Sequence, residues 1–255
     1  MAGVRALQWL NLTRHGESTG NLAYQAVLGT DAEEAGITER DADIPLSDTG
    51  RAQAATLGRW LAALPEDERP THVIASPYLR TVDTAEIALA QTSYAAPRAP
   101  GGLRLRVDER LRDREQGALQ GLTALGVRRR FPAEAARLDQ LGKFYYRPPG
   151  GESWADLALR LRSFYRDLEA DAAGGRVLVV THDAIIVMTR YLVEELTEAE
   201  IMRIEKEPVA NASVTRWRGD GSGLQAVCYN DCAHLAGLGA PPPAGPAEPR
   251  STARH

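Results

Sequence analysis

The chain has 255 residues, 25% of them charged, and a formal net charge of -4 at pH 7. That length suits one large α/β domain or two small ones with a sizeable core, and the weak negative charge argues against a nucleic-acid partner or an anionic membrane surface. The stretch Met1 to Gln8 lacks the apolar core of a signal peptide and no run approaches a membrane span, so a cytoplasmic protein is expected, with a homodimer left open.

Trp9 to Thr13 reads as an inner strand, halted by Arg14, His15 and the turn-forming run Gly16 to Asn21, which can open a helix. Tyr24 to Ile44 is acidic, rich in Ala and Gly and weakly periodic, as an insertion or lid over the strand's exit would be. Pro45 to Gly50 offers N-caps, and Arg51 to Leu64 places Ala54, Leu57, Trp60, Leu61 and Leu64 at helical spacing. His72 to Ser76 is a second core strand. Pro77 is predicted to open a helix to about Ala90, with Arg80 in its first turn near the strand ends.

Leu103 to Leu111 reads as a third strand or strand plus loop, followed by the charged segment Arg112 to Gly121. Leu122 to Leu141 predicts one or two short helices broken near Pro132, and Ser153 with Asp156 forms a capping-box pattern for a helix to about Ala170. Val177 to Thr181 is apolar and β-branched, a central parallel strand that ends at His182. Helices over about Ala184 to Val193 and Glu198 to Lys206 precede two edge strands, Ala212 to Trp217 and Leu224 to Tyr229. After Leu238 the chain offers no large apolar side chain, so a single catalytic domain over 1–238 and a disordered tail over 239–255 are expected. Cys228, Cys232 and His234 lack the second ligand pair of a zinc site, and the cysteines are read as buried or half-buried thiols.

Strand-helix alternation brings the carboxyl ends of parallel strands together, so Arg14 and His15 from one strand and His182 from another can converge. Alone, Arg14 and His15 equally suit a surface arginine beside a backbone-satisfied histidine. With His182, Arg80 and an acid from the Asp113 region, they make the set a phosphomonoester needs. Two guanidiniums neutralise the dianion, a neutral imidazole attacks phosphorus, and a carboxylic acid protonates the leaving alcohol. This chemistry requires no metal or cofactor.

Leu12-Thr13-Arg14-His15-Gly16-Glu17-Ser18, with Asn21 beyond, resembles the signature of the histidine phosphatase superfamily, which includes cofactor-dependent phosphoglycerate mutases and fructose-2,6-bisphosphatases. Further pieces follow in family order: Ser76-Pro77-Tyr78-Leu79-Arg80-Thr81, Gly117-Ala118-Leu119-Gln120-Gly121, Gly151-Glu152-Ser153 and Val179-Val180-Thr181-His182. The resemblance spans about Leu10 to Trp217. It implies a three-layer α/β sandwich with a mainly parallel sheet, phosphorylation of His15, and a phosphoryl group held by Arg14, Arg80 and His182 with a polar contact from Asn21.

The family's proton donor, usually Glu, falls at Asp113, one methylene shorter, with Glu115 as the alternative; surface pairing with Arg112 and Arg114 is the plain reading of both acids. Asp183 departs from the uncharged residue common after the second histidine, and either turns inward to favour protonated His182 or caps the next helix. Glu17 is assigned a place behind the site, or a role complementing a helix dipole. Arg137 to Ser153 is similar to the substrate loop of fructose-2,6-bisphosphatases. There Lys143 and Arg147 would bind a second anionic group, Tyr145 or Tyr146 would line a sugar-sized pocket, and Glu152 would join them; a solvated basic and aromatic loop is the alternative. The resemblance implies a metal-independent phosphatase acting on a small phosphorylated substrate. A 2,3-bisphosphoglycerate-dependent mutase and a non-catalytic phosphate-binding scaffold are the other readings.

Overall fold

A computed structural model describes residues 6–94 and 103–238; the tail expected over 239–255 lies outside the described residues. Six strands form one sheet in the order β3-β2-β4-β1-β5-β6, with β1 at Trp9–Arg14, β2 at His72–Ala75, β3 at Leu105–Val107, β4 at Arg176–Thr181, β5 at Val214–Gly219 and β6 at Leu224–Asp231. The first four strands are mutually parallel, and the last two run antiparallel at one edge.

Strand side chains alternate between two buried faces, which is why β4 reads as a continuous apolar run. Val177 and Val179 pack with Leu10 and Leu12 against α6 (Trp154–Asp171) and α7 (Asp183–Val193). Leu178 and Val180 pack with Val73 and Ala75 against α2 (Asp48–Ala62) and α3 (Leu79–Ala90). The result is the three-layer α/β arrangement expected from the sequence. α1 (Thr19–Val27), α4 (Ala124–Arg130), α5 (Pro132–Leu141) and α8 (Glu198–Ile204) complete the helices, and none among the described residues is long and apolar enough to cross a membrane.

Two helix starts differ from expectation. α3 begins at Leu79 with Tyr78 as its N-cap, because the Tyr78 amide donates to Ser76 Oγ and holds residues 76–78 in a turn ahead of the helix. α7 begins at Asp183 with His182 in the N-cap position. Asp183 therefore does not cap the helix. It complements the dipole in the first turn, and its charge is felt at Tyr229.

β1 and β4 are neighbours, yet α2 and α7 lie on opposite faces of the sheet. The crevice where such connections diverge, at the carboxyl ends of the strands, is where an open α/β sheet binds ligands. Register puts Arg14 beside Thr181 and Ala75 beside Val180, so the next residues, His15, His182 and Ser76, share that edge. Cys228 and Cys232 lie at the far edge as half-buried thiols.

Candidate active site

A cleft of about 490 Å³ opens at this edge, with Arg14, His15, Arg80 and Asp113 among its lining residues. Ser18, Gly20 and Asn21 contribute the N-terminus of α1, where the helix dipole favours an anion. Ser18 and Asn21 form a reciprocal capping box there. The Asn21 amide oxygen accepts from the Ser18 amide and from Asn211 Nδ2, which leaves its nitrogen as the donor end toward the cleft.

His15 is 3% exposed. Its Nδ1 lies 2.7 Å from the Gly16 carbonyl and its Nε2 lies 3.3 Å from Arg80 Nε. A carbonyl only accepts and a guanidinium only donates, so the proton sits on Nδ1 and the lone pair on Nε2. Burial holds the imidazole well below its ordinary pKa, helped by Arg80, Arg14 and His182. The backbone around it is over-determined. The Ala212 amide donates to the carbonyls of Arg14 and His15 from a residue with φ of 55°, and Asn211 Nδ2 donates to the His15 carbonyl at 3.0 Å. Gly16 packs so closely on α2 that an added Cβ would stand 2.4 Å from the Gly50 carbonyl oxygen.

His182 is fully buried, its Nε2 bonded to Ser76 Oγ at 2.8 Å and its Nδ1 3.4 Å from Asp113 Oδ2. It too is held well below its ordinary pKa, by burial first and then by Arg80 and Arg14. Arg14 is completely buried and donates through Nη1 to the Val209 carbonyl. Arg80 donates through Nη2 to Asp113 Oδ2 at 3.3 Å and through Nη1 to the Asp41 carbonyl.

Of the two acids considered as proton donor, Asp113 faces the cleft. Glu115 instead accepts from Tyr78 Oη at 3.1 Å and lies outside the cleft lining. The loop that carries them is anchored by Glu152, which accepts from Arg112 and Arg160 and from the Glu115 amide, while Arg160 also donates to the Asp113 carbonyl. These cations hold the Glu152 carboxyl below its usual range against the opposing effect of burial. Gly117, with φ of 53°, lets the loop pass where a Cβ would meet the Pro149 oxygen at 2.2 Å.

Glu17, assigned a place behind the site, and several residues expected at the substrate lie outside the cleft lining. Glu17 is buried behind the cleft and accepts from Ser47 Oγ at 2.6 Å, tying the exit of β1 to the start of α2. Lys143 pairs with Glu205 and lines a neighbouring, largely apolar cavity between α4 and α5. Tyr145 is 55% exposed and bonds Glu198, and Arg147 pairs with Asp156; neither lines the cleft. Opposite charges within reach absorb this loop's polar groups. Tyr146 is buried and donates to Glu134 at 3.0 Å.

Sequence reading missed Asn211, Ser76, Arg114 and Asp41. Ser76 was within a quoted motif, but the others carry no local pattern. The Tyr24 to Ile44 segment does reach the cleft, through Tyr24, Ile37, Asp41 and Ile44, although α1 claims its first residues.

The strand ends of this α/β sheet thus gather two buried histidines, two buried arginines and a carboxylate. The chain belongs to the histidine phosphatase superfamily (branch 1), whose profile matches residues 10–232. It is 31% identical over 206 residues to 2,3-bisphosphoglycerate-dependent phosphoglycerate mutase 2 of Gloeobacter violaceus, covering 79% of this chain and 84% of that one. It is 30% identical to 6-phosphofructo-2-kinase/fructose-2,6-bisphosphatase of Gallus gallus over 69% of its own length, but spans only 30% of that longer protein. Among solved structures, mycobacterial glucosyl-3-phosphoglycerate phosphatase superposes with a TM-score of 0.67 at 26% identity, over 88% of this chain and 98% of the other.

Proposed function

We propose that this chain is a metal-independent phosphomonoesterase working through a phosphohistidine on His15. The observation that carries the reading is the His15 imidazole, neutral and with its Nε2 lone pair beside Arg80 at the base of the cleft. Nε2 attacks phosphorus, forming the N–P bond as the ester P–O bond breaks. Arg14 and Arg80 take phosphoryl oxygens, and His182 takes another through Nδ1. Asp113 gives its proton to the leaving oxygen. As a carboxylate it then accepts a proton from the water whose oxygen attacks phosphorus, which breaks the N–P bond and releases phosphate.

The outer cleft favours an uncharged leaving group. Beyond Arg14 and Arg80, the only cation lining it among the described residues is Arg114, which donates to the Glu152 carbonyl and to Gln116 Oε1. Tyr24, Gln116 and Gln120 supply neutral polar surface. A sugar or polyol phosphate suits these groups better than a phosphoglycerate, whose carboxylate would have to compete for Arg114 with Glu152 and Gln116. The similarity to a bacterial mutase favours a second reading, return of the phosphoryl group to a bound acid. Phosphate release measured with EDTA present across sugar phosphates, phosphoglycerates, nucleotides and phosphoproteins tests the choice. Hydrolysis led by sugar or polyol phosphates is expected; exchange dependent on 2,3-bisphosphoglycerate with little hydrolysis would reverse it.

A further inference from the structure

Arg80 meets a protein partner at each of its three nitrogens. Nε reaches His15, Nη2 reaches Asp113, and Nη1 donates to the Asp41 carbonyl with Asp41 Oδ1 3.1 Å away. The Asp41 carboxylate thus lies against the guanidinium edge that a phosphoryl oxygen needs. We propose that Asp41 is a built-in competitor for Arg80: incoming phosphate displaces it, and its return helps to expel the phosphate product. This rests on the reading above that Arg80 binds the phosphoryl group.

The attachment of the segment suits such an exchange. The linker between α1 and α2 is pinned at one end by the Ala35 amide on the Gly121 carbonyl and the Glu34–Leu122 bridge. At the other end the Thr19 amide donates to the Pro45 carbonyl and the Ser47 amide to the Glu17 carbonyl. Between these anchors the backbone bonds are local, Asp43 to Arg40 and Ile44 to Asp41, and Arg40 pairs with Asp43 on the surface. Loss of the Arg80 contacts therefore breaks no strand pairing and no backbone bond of α1 or α2.

Electrostatics point the same way. Burial works against the Asp41 charge, Asp113 and Glu115 repel it, and Arg80 is the attraction that holds it. Once phosphate claims Arg80, Asp41 loses that attraction and keeps the repulsion of Asp113 and Glu115.

Calorimetric titration with inorganic phosphate at pH 7.5 tests the proposal on the whole chain and on Asp41→Asn, Asp41→Ser and Glu39→Gln. The two Asp41 variants should bind phosphate at least about fivefold tighter than the unaltered chain, with product inhibition strengthened in step. Glu39→Gln removes the same charge from the exposed part of the same linker and should bind as the unaltered chain does. Unchanged or weaker phosphate affinity in both Asp41 variants, with thermal midpoints preserved, would overturn the proposal while leaving the catalytic reading intact. Tightening of equal size in Glu39→Gln would overturn it as well, because bulk charge would then suffice. If no form of the protein bound phosphate, the assignment of Arg80 and this inference would fall together.

Discussion

The rings of His15 and His182 stand 5.4 Å apart at an angle of 62°, edge to face, at the ends of adjacent parallel strands. Both are buried and neutral. Burial is the first cause and the two arginines follow.

That neutrality links stability to pH. The unfolded histidines titrate near their ordinary pKa of about 6.5, while the folded ones resist protonation, so stability is complete above that pH and falls as pH drops below it. The expected loss is about 1.4 kcal/mol per pH unit for each histidine until its folded-state pKa is reached. Urea unfolding at pH 7.5, 6.5 and 5.5 checks this, and His182→Asn should give a shallower slope. A pH-independent stability would contradict the neutral pair.

Asp113→Asn should slow hydrolysis of an alkyl phosphate by about 10²- to 10⁴-fold, the usual worth of a general acid. The loss should be much smaller for p-nitrophenyl phosphate, whose leaving group departs without a proton. Glu115→Gln should change neither rate much, because that carboxylate serves Tyr78. The opposite pattern would move the proton donor to Glu115.

Glu152→Ala removes the anion shared by Arg112 and Arg160. Leaving these partly buried cations uncompensated should cost about 3 kcal/mol, and kcat should fall because Arg160 holds the Asp113 backbone. Chemical denaturation and steady-state kinetics on one preparation separate the two effects.

Arg147→Ala should leave kcat/KM within about twofold and stability within about 1 kcal/mol, since its ion pair with Asp156 is largely exposed. A tenfold rise in KM would return this loop to the substrate.

Arg14, His15, Arg80, Asp113 and His182 were legible as a group because each stands at the end of a core strand, at the start of the helix after one, or on the loop just beyond one. Strand order then fixes their neighbourhood. The apolar runs and the capping residues of α2 and α6 were legible for the same local reason. Asp41 and Asn211 were not, since their roles come from linkers folded back over the sheet edge. Lys143, Tyr145 and Arg147 looked like a binding loop by family resemblance, but Glu205, Glu198 and Asp156, partners brought close by α8 and α6, take up their polar groups.

The central claim is that the phosphoryl group rests on His15 during turnover. Rapid acid-free quenching with a ³²P-labelled substrate, followed by peptide mapping, tests it most directly. The account predicts a label that is acid-labile and alkali-stable, located on the His15 peptide, and lost together with turnover in His15→Ala. Hydrolysis at an undiminished rate by His15→Ala, or a label on another residue, would contradict it.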